Sequence, residues 1–350
     1  MQTGDRPVPG TGSGTAPGGR HAAAVLAAAL LWGTTGTVAH FAPAGSSPLA
    51  IGLATFGIGG VVLALVSARR VLAVLRQRAH LGWVLAGAVG VVLYPTAYYP
   101  SMALAGVAVG NVVALGSGPI FAALLEWAID RRRPDARWSI ATAVAIVGIV
   151  LLALGGHGGV AADASAAPLG VGLALLAGFG YALYAYAGAR LISRGATATG
   201  AVGALFLVGA IVCLAWLAIV GLGPLASAPG IATIAYLALV PMALSYLLFG
   251  YGLRALRSSA ATTLALAEPI VATLLAVAVV GERPSVVGWA GLATVAVGIA
   301  ILAIPRRSQA RGVRSGYKRD AERSAGVTRD PHTDAGGDRD HAGSQDHPPL

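Results

Sequence analysis

Residues 264–302 read LALAEPIVATLLAVAVVGERPSVVGWAGLATVAVGIAIL. In this run the polar residues Gly281–Pro284 separate two long apolar segments. A helix needs about 20 predominantly apolar residues to cross a hydrocarbon core of roughly 30 Å. With the apolar residues that precede it, the run therefore predicts two membrane-spanning helices joined by a short turn.

The composition of the whole chain agrees with this local pattern. Of its 350 residues, 56% are hydrophobic and only 11% are charged. Soluble domains carry about 25% charged residues, so a soluble globule is excluded. The alternating ten-residue strands of an outer-membrane barrel are absent as well. We therefore predict an all-α, polytopic membrane protein.

Ten apolar segments are long enough to span a membrane, and we number the predicted spans 1 to 10 in chain order. They cover residues 22–41, 48–67, 82–103, 106–128, 139–155, 168–189, 199–221, 230–252, 258–280 and 285–304. Residues 1–21 are rich in Gly, Pro, Ser and Thr, and residues 305–350 are polar. Both tails are predicted to be disordered because they hold too few apolar residues to form a core.

The positions of the basic residues predict how the chain is oriented. The net charge is +10, but the Lys and Arg residues are scattered through short connections and the C-terminal tail, so we expect no nucleic-acid partner. With the N-terminus inside, 23 of the 24 fall in cytoplasmic segments and only Arg283 falls outside. We predict a multi-pass protein of the inner (plasma) membrane with both termini cytoplasmic and the lipid bilayer as its partner.

An internal repeat is visible at an offset of 150 residues. Pro119 then aligns with Pro269, and Gly148 aligns with Gly298, among several matching aliphatic residues. The repeats are predicted at 22–155 and 168–304, with five spans each. Because five is odd, the two halves cross the membrane in opposite senses, which is the inverted-repeat architecture of secondary transporters.

The same residues resemble a known family. Residues 264–302 are similar to the closing part of an EamA repeat in the drug/metabolite transporter superfamily. A weaker copy, GNVVALGSGPIFAALLEWAIDRRRPDARW, lies at residues 110–138, and LLWGTTGTVAHFAPAGSSPLAIGL at residues 30–53 resembles the family's first helix and the Ser-Pro start of its second. The resemblance covers residues 25–304. One departure is that Thr55 and its neighbours are uncharged where many members carry an Arg.

The resemblance implies a ten-helix exporter or importer of amino acids, amines, drugs or other metabolites. It also implies a central cavity lined mainly by helices 1, 3, 4, 6, 8 and 9.

Glu268 is the strongest candidate for a substrate- or proton-binding residue. It lies near the middle of span 9, where inserting an ionisable side chain into the bilayer costs about a few kcal/mol of free energy. An ionisable residue at this depth is therefore a candidate functional residue. Pro269 follows it and lacks the N–H that would bond a preceding carbonyl. The alternative interpretation is a neutral Glu268 that bonds a neighbouring helix.

Two further ionisable residues lie within predicted spans. Glu126 is a few residues before Arg131–Arg133, so we expect its carboxylate to reach the cytoplasmic interface and form a salt bridge there. His40 lies at the outer end of span 1, where a hydrated imidazole costs little, although a role in gating or proton transfer is the alternative.

Tyrosines are concentrated in three spans, which contain nine of the ten. They are Tyr94, Tyr98 and Tyr99 in span 3, Tyr181, Tyr184 and Tyr186 in span 6, and Tyr236, Tyr246 and Tyr251 in span 8. A tyrosine offers an apolar ring with one hydrogen-bonding group, which suits a cavity for mixed ligands. We predict that about half line a cavity, with Tyr98, Tyr184 and Tyr246 as candidates, while Tyr236 and Tyr251 lie near the membrane interfaces. Trp32 and Asn111 are further candidates.

We therefore predict a secondary transporter of a small-molecule substrate, an amino acid, amine or drug-like compound, working by alternating access and exporting it. The alternatives are an intramembrane enzyme that modifies lipids and a non-transporting scaffold or sensor. No cofactor, metal site or catalytic residue is predicted, because the chain has no phosphate-binding motif and a single cysteine, Cys213. The sequence leaves a homodimer open.

Overall fold

The structure is a computed structural model, and it describes residues 17–155, 166–281 and 283–304. Both predicted disordered tails lie outside the described residues, except for residues 17–21. Within the described part, ten helices are long and apolar enough to cross a membrane, which confirms the predicted number of spans. The α-helices are Pro17–His40 (span 1), Pro48–Val66 (span 2), Ala68–Leu75, Arg78–Ala105 (span 3), Val107–Asp130 (span 4), Ala136–Gly155 (span 5), Ala167–Ser193 (span 6), Ala198–Val220 (span 7), Ala228–Leu237 and Ser245–Gly252 (span 8), Ser258–Ala265 and Glu268–Leu275 (span 9), and Val286–Ala303 (span 10).

Spans 8 and 9 are not continuous α-helices. Span 8 contains the π-helix Ala238–Leu244, which includes Pro241, and span 9 ends in the π-helix Ala276–Val280. A short 3-10 helix, Gly223–Ala226, precedes span 8. Irregular turns of this kind are frequent at functional sites in helical proteins.

Several spans are preceded by a Ser or Thr residue whose hydroxyl caps the start of the helix. Ser47 accepts a hydrogen bond from the backbone N–H of Ala50, and Pro48 is the first residue of span 2. Ser285 caps span 10 in the same way through the N–H of Gly288. Such caps satisfy backbone donors that a helix leaves without partners, and proline tolerates the first helical position because it has no N–H.

The packing of the spans follows an approximate two-fold relation. Span 3 packs on span 6 as span 8 packs on span 1, and span 4 packs on span 6 as span 9 packs on span 1. Spans 2 and 7 pack on each other, as do spans 5 and 10. Exchanging each span with the one five places later converts the pair 3–6 into 8–1 and the pair 4–6 into 9–1, and it maps the pairs 2–7 and 5–10 onto themselves. The helix packing thus has the symmetry expected of two five-span repeats.

The glycines that matched between the repeats have a packing role. A Cβ atom on Gly148 of span 5 would lie 2.5 Å from the backbone nitrogen of Val295 in span 10. A Cβ atom on Gly298 of span 10 would lie 2.7 Å from the backbone nitrogen of Ala145 in span 5. Each glycine therefore lets one span approach the backbone of the other, as small residues do between membrane helices.

Candidate functional site

A cavity of about 540 Å³ lies between the two repeats. Spans 1, 2, 3, 4, 6, 8 and 9 contribute to its walls, together with the loop of residues 41–47 between spans 1 and 2. We call the side of the protein that carries this loop the loop side. Ligand pockets for small organic molecules have volumes of about 300–1,000 Å³, so the cavity has a suitable size.

Glu268 lies on the wall of this cavity, where span 9 is interrupted. It is the eleventh residue of the span Ser258–Val279, so it lies near the middle. Leu266 and Ala267 form a turn between the two α-helical halves, and the second half begins at Glu268. Interrupted helices with a polar group at mid-depth are typical of substrate and ion sites in transporters.

Span 1 approaches the backbone of Glu268 closely because Gly33 has no side chain. A Cβ atom at position 33 would lie 3.0 Å from the carbonyl oxygen of Glu268 and 2.5 Å from the Cβ of Val271. Trp32, the preceding residue, is 9% exposed and its ring lies 5.1 Å from that of Tyr246. These contacts fix span 1 against spans 8 and 9 beside the carboxyl group.

Six of the seven predicted site residues line the cavity: Trp32, Tyr98, Asn111, Tyr184, Tyr246 and Glu268. The seventh, Pro269, is buried and is not part of the cavity wall. Proline at this position is compatible with the start of the second helical half, since it lacks an N–H.

Hydrogen bonds connect the polar groups of the wall in pairs. The hydroxyl of Tyr98 donates to Oδ1 of Asn111 at 2.6 Å, which links span 3 to span 4. The hydroxyls of Tyr184 and Tyr246 share a hydrogen bond of 2.7 Å between spans 6 and 8. Each of these pairs connects two helices of one repeat. The ring contact between Trp32 and Tyr246, in contrast, brings the two repeats together.

The structure adds residues that were not singled out for the cavity. Tyr94, Tyr99 and Tyr181 also line it, so six of the nine clustered tyrosines face it. The spacing of Tyr94 and Tyr98 by four residues was a usable signal, since such residues share a helix face. Span 2, which the resemblance did not place on the wall, contributes Ile51, Thr55 and Phe56 among others.

The remaining clustered tyrosines lie elsewhere. Tyr236 donates a hydrogen bond to Oγ1 of Thr34 at 3.2 Å. Tyr251 is 36% exposed and stacks on the ring of His21 at 4.7 Å. His40 is exposed at the end of span 1, and it is not among the residues that line the cavity.

The prediction for Glu126 is confirmed in part, because its carboxylate forms a salt bridge but is buried rather than exposed to water. Its side chain is buried, and it joins span 4 to the first turn of span 9 instead. One oxygen accepts hydrogen bonds from the hydroxyl of Ser258 at 2.7 Å and the N–H of Ser259 at 2.9 Å, and the other accepts from the hydroxyl of Ser259 at 2.9 Å. An ion pair exists, but with Arg257 at 3.9 Å. Hydroxyl and backbone donors at a helix start satisfy a carboxylate without contact with water.

Further contacts gather at this end of span 4, which we call the Glu126 side and which lies opposite the loop side. Asp130 pairs with Arg190 of span 6 at 2.6 Å. Arg137, at the start of span 5, donates to the carbonyl oxygen of Ile301 near the end of span 10 at 2.7 Å. Trp138 donates to Oγ1 of Thr263 in span 9 at 3.1 Å. All of these contacts join the first repeat to the second.

A ten-span fold with a mid-depth cavity between two repeats places this protein among the multi-pass membrane transporters. Comparison with known sequences narrows the class: the EamA-like transporter family matches residues 20–154 and 168–304. The chain belongs to the EamA-like transporter family and is a membrane transporter. The prediction of an all-α protein with ten spans in two inverted repeats is confirmed.

Two individual proteins are similar over most of the chain. An uncharacterized transporter of Bacillus subtilis (strain 168), YwfM, is 36% identical over 291 residues, which cover 81% of this chain and 94% of that protein. A solved structure described only as the crystal structure of a protein matches with a TM-score of 0.68 and 22% identity, covering 80% of this chain and 95% of that chain. The second likeness shows the fold alone.

Proposed function

We propose that this protein is a secondary transporter that exports a small organic molecule, an amino acid, amine or drug-like compound, across the plasma membrane by alternating access. Both termini are cytoplasmic in this proposal, as the distribution of basic residues predicts. The substrate binds in the cavity between the repeats, and Glu268 is the residue that contacts the substrate or a coupled proton.

The observation that carries the proposal is the difference between the two sides of Glu268. The cavity extends from Glu268 to the loop of residues 41–47. Towards the Glu126 side, Tyr184, Tyr246 and Phe249 are buried and packed together, with ring centroids of Tyr184 and Tyr246 5.7 Å apart. Alternating access requires that a mid-depth site is closed towards at least one side at every stage of the cycle.

The contacts on the Glu126 side form the closed gate in this proposal. Opening it separates Glu126 from Ser258 and Ser259, and Asp130 from Arg190. Each of these contacts crosses from one repeat to the other, so they break when the repeats rock relative to each other.

Transport by the purified protein in liposomes tests the proposal. Liposomes loaded with a mixture of amino acids, amines and drug-like compounds release at least one of them faster than liposomes without protein. A membrane-impermeant maleimide applied to the Ala44→Cys variant shows which protein molecules are inserted with the loop side outward, since Ala44 is exposed and Cys213 is buried. Turnover of a lipid without movement of any compound would support the intramembrane enzyme instead. Absence of both transport and lipid turnover would support the scaffold or sensor.

A further inference from the structure

The cavity contains one acidic side chain and lacks a basic one. Among the described residues that line it, Glu268 is the sole Asp or Glu, and none is Lys, Arg or His. Span 2 contributes Thr55 to the wall, and its hydroxyl has no hydrogen-bond partner in the described part of the chain. An ionised carboxylate buried without a counter-charge is costly, so a positive charge in the cavity would be bound favourably.

Aromatic rings surround the same region. The rings of Tyr94 and Tyr98 stack at 5.2 Å, and Tyr99 meets Tyr98 edge to face at 5.5 Å. The ring centroid of Tyr181 in span 6 lies 6.1 Å from the ring centroid of Tyr94 in span 3. Glu268 and these four tyrosines line the same cavity. Ring faces attract cations and also bind apolar groups, which suits a molecule that carries both.

The hydroxyl of Tyr98 is arranged to accept a hydrogen bond from a ligand. Its proton is directed to Oδ1 of Asn111, so the lone pairs of its oxygen remain for an N–H donor. A carboxylate and a phenol oxygen together provide acceptors for an ammonium group. An anionic ligand would find no cationic partner on the described wall.

We propose that the cavity binds an organic cation, with its charged nitrogen at Glu268 and its apolar body against the tyrosine rings. This inference rests on the proposed function, since it names the substrate class of the same cavity. A Glu268 that serves only to carry a proton gives no preference for cationic ligands over neutral ones of the same shape. The two roles therefore differ in a binding measurement.

Matched ligands on one phenylethyl body provide that measurement. Isothermal titration compares 2-phenylethylamine and its N,N,N-trimethyl derivative, both cations, with neutral 2-phenylethanol and anionic 3-phenylpropionate. We expect the cations to bind the wild-type protein at least about tenfold more tightly than the alcohol, and the anion to bind most weakly. The series is repeated with a naphthylethyl body, which fills more of the cavity.

Variants assign the preference to Glu268. Glu268→Gln keeps the size of the side chain, so the alcohol binds as in the wild type while the preference for cations falls below about threefold. Glu268→Asp keeps the charge and retains a preference, which covers the case in which Glu268→Gln does not fold. Asp135→Asn is the matched control, since it removes a carboxylate at the exposed start of span 5 and should leave the preference unchanged.

The inference is overturned if neither cation binds on either body, if the alcohol or the anion binds as tightly, or if Glu268→Gln keeps the full preference. Liposome efflux of the same ligands separates this failure from failure of the proposed function. Transport of the alcohol or anion without a cation preference leaves the transporter proposal standing and removes the cation. Binding of the cations without transport of any compound does the reverse.

Discussion

Oε1 of Glu126 accepts a hydrogen bond of 2.9 Å from the backbone N–H of Ser259, so a side chain of span 4 caps the first turn of span 9. The partial positive charge at the start of a helix adds to the attraction. The contact joins the two repeats at the helices that carry the matched prolines, Pro119 and Pro269. Its strength therefore affects folding and, in the proposed transport cycle, the opening of the Glu126 side.

Replacement of Glu126 by alanine should lower the thermal stability of the protein. The change leaves the buried hydroxyls of Ser258 and Ser259 without their acceptor, at a cost of about 1–3 kcal/mol. For a protein of this size, such a loss lowers the melting temperature by several degrees. Thermal unfolding in detergent measures it, with Ser139→Ala at the exposed start of span 5 as the control. An unchanged melting temperature would show that the contact is not stabilising.

Glu126→Gln should also expose the first half of span 9 to water more often. Thr262 is fully buried there and its hydroxyl donates to the carbonyl oxygen of Ser258, so a Thr262→Cys substitution reports opening. A water-soluble maleimide should label this cysteine at least about threefold faster when Glu126→Gln is present, because a neutral amide binds the serine donors less tightly than a carboxylate. Cys213 is buried and serves as the internal reference. Equal labelling rates would mean that Glu126 does not hold the gate closed.

Gly33→Ala should destabilise the protein despite the small size of the change. The added methyl group would overlap Val271 and press on the backbone of Glu268, and overpacking of this kind costs about 1–3 kcal/mol. Gly172→Ala in span 6 is the matched control, because a Cβ there meets nothing within 4 Å. The unfolding temperature should fall in Gly33→Ala, and it should stay unchanged or rise in Gly172→Ala. Equal effects would indicate that span 1 can move away from span 9 without cost.

A double-mutant cycle tests the hydrogen bond between Tyr184 and Tyr246. Each Tyr→Phe change removes one hydroxyl and leaves the other buried without its partner. The double variant should therefore be more stable than the sum of the single changes predicts, with a coupling energy of about 0.5–1.5 kcal/mol. Strictly additive changes in the free energy of unfolding would mean that the two hydroxyls do not interact in solution.

Cysteine labelling tests the predicted orientation in intact cells. Ala44 on the loop side and Gln77 between spans 2 and 3 are both exposed. An impermeant maleimide should label Ala44→Cys in intact cells, but Gln77→Cys only after the membrane is permeabilised, as the basic residues predict. The reverse pattern would place the Glu126 side outside and turn the proposed export cycle around.

The residues that sequence analysis predicted best are those whose environment follows from depth alone. Span lengths follow from the bilayer thickness. Glu268 was identifiable because an acidic residue in the middle of an apolar helix is energetically costly and is therefore usually functional. Asn111 and the tyrosines were identified as cavity candidates because they place polar groups within apolar segments.

What could not be predicted depends on contacts between distant spans. Nothing near Glu126 in the chain identifies Ser258 and Ser259, 132 and 133 residues away, as its donors. Arg131–Arg133, close in sequence, suggested the interface instead. Likewise, Thr55 reaches the cavity only because span 2 packs against span 7 and the middle of span 8. Pairing of remote helices sets such positions, and local patterns do not encode it.

The pairing of spans 5 and 10 has a consequence for how the chain is made. Gly148 and Gly291 bring two backbones together, and a Cβ on Gly291 would lie 2.7 Å from the carbonyl oxygen of Gly148. Span 10 is the last of the ten spans to leave the ribosome, so span 5 waits in the bilayer with its glycine face against lipid until then. The first repeat is thus incomplete when its own synthesis ends, because span 5 gains the helix it packs on most closely only when span 10 is inserted.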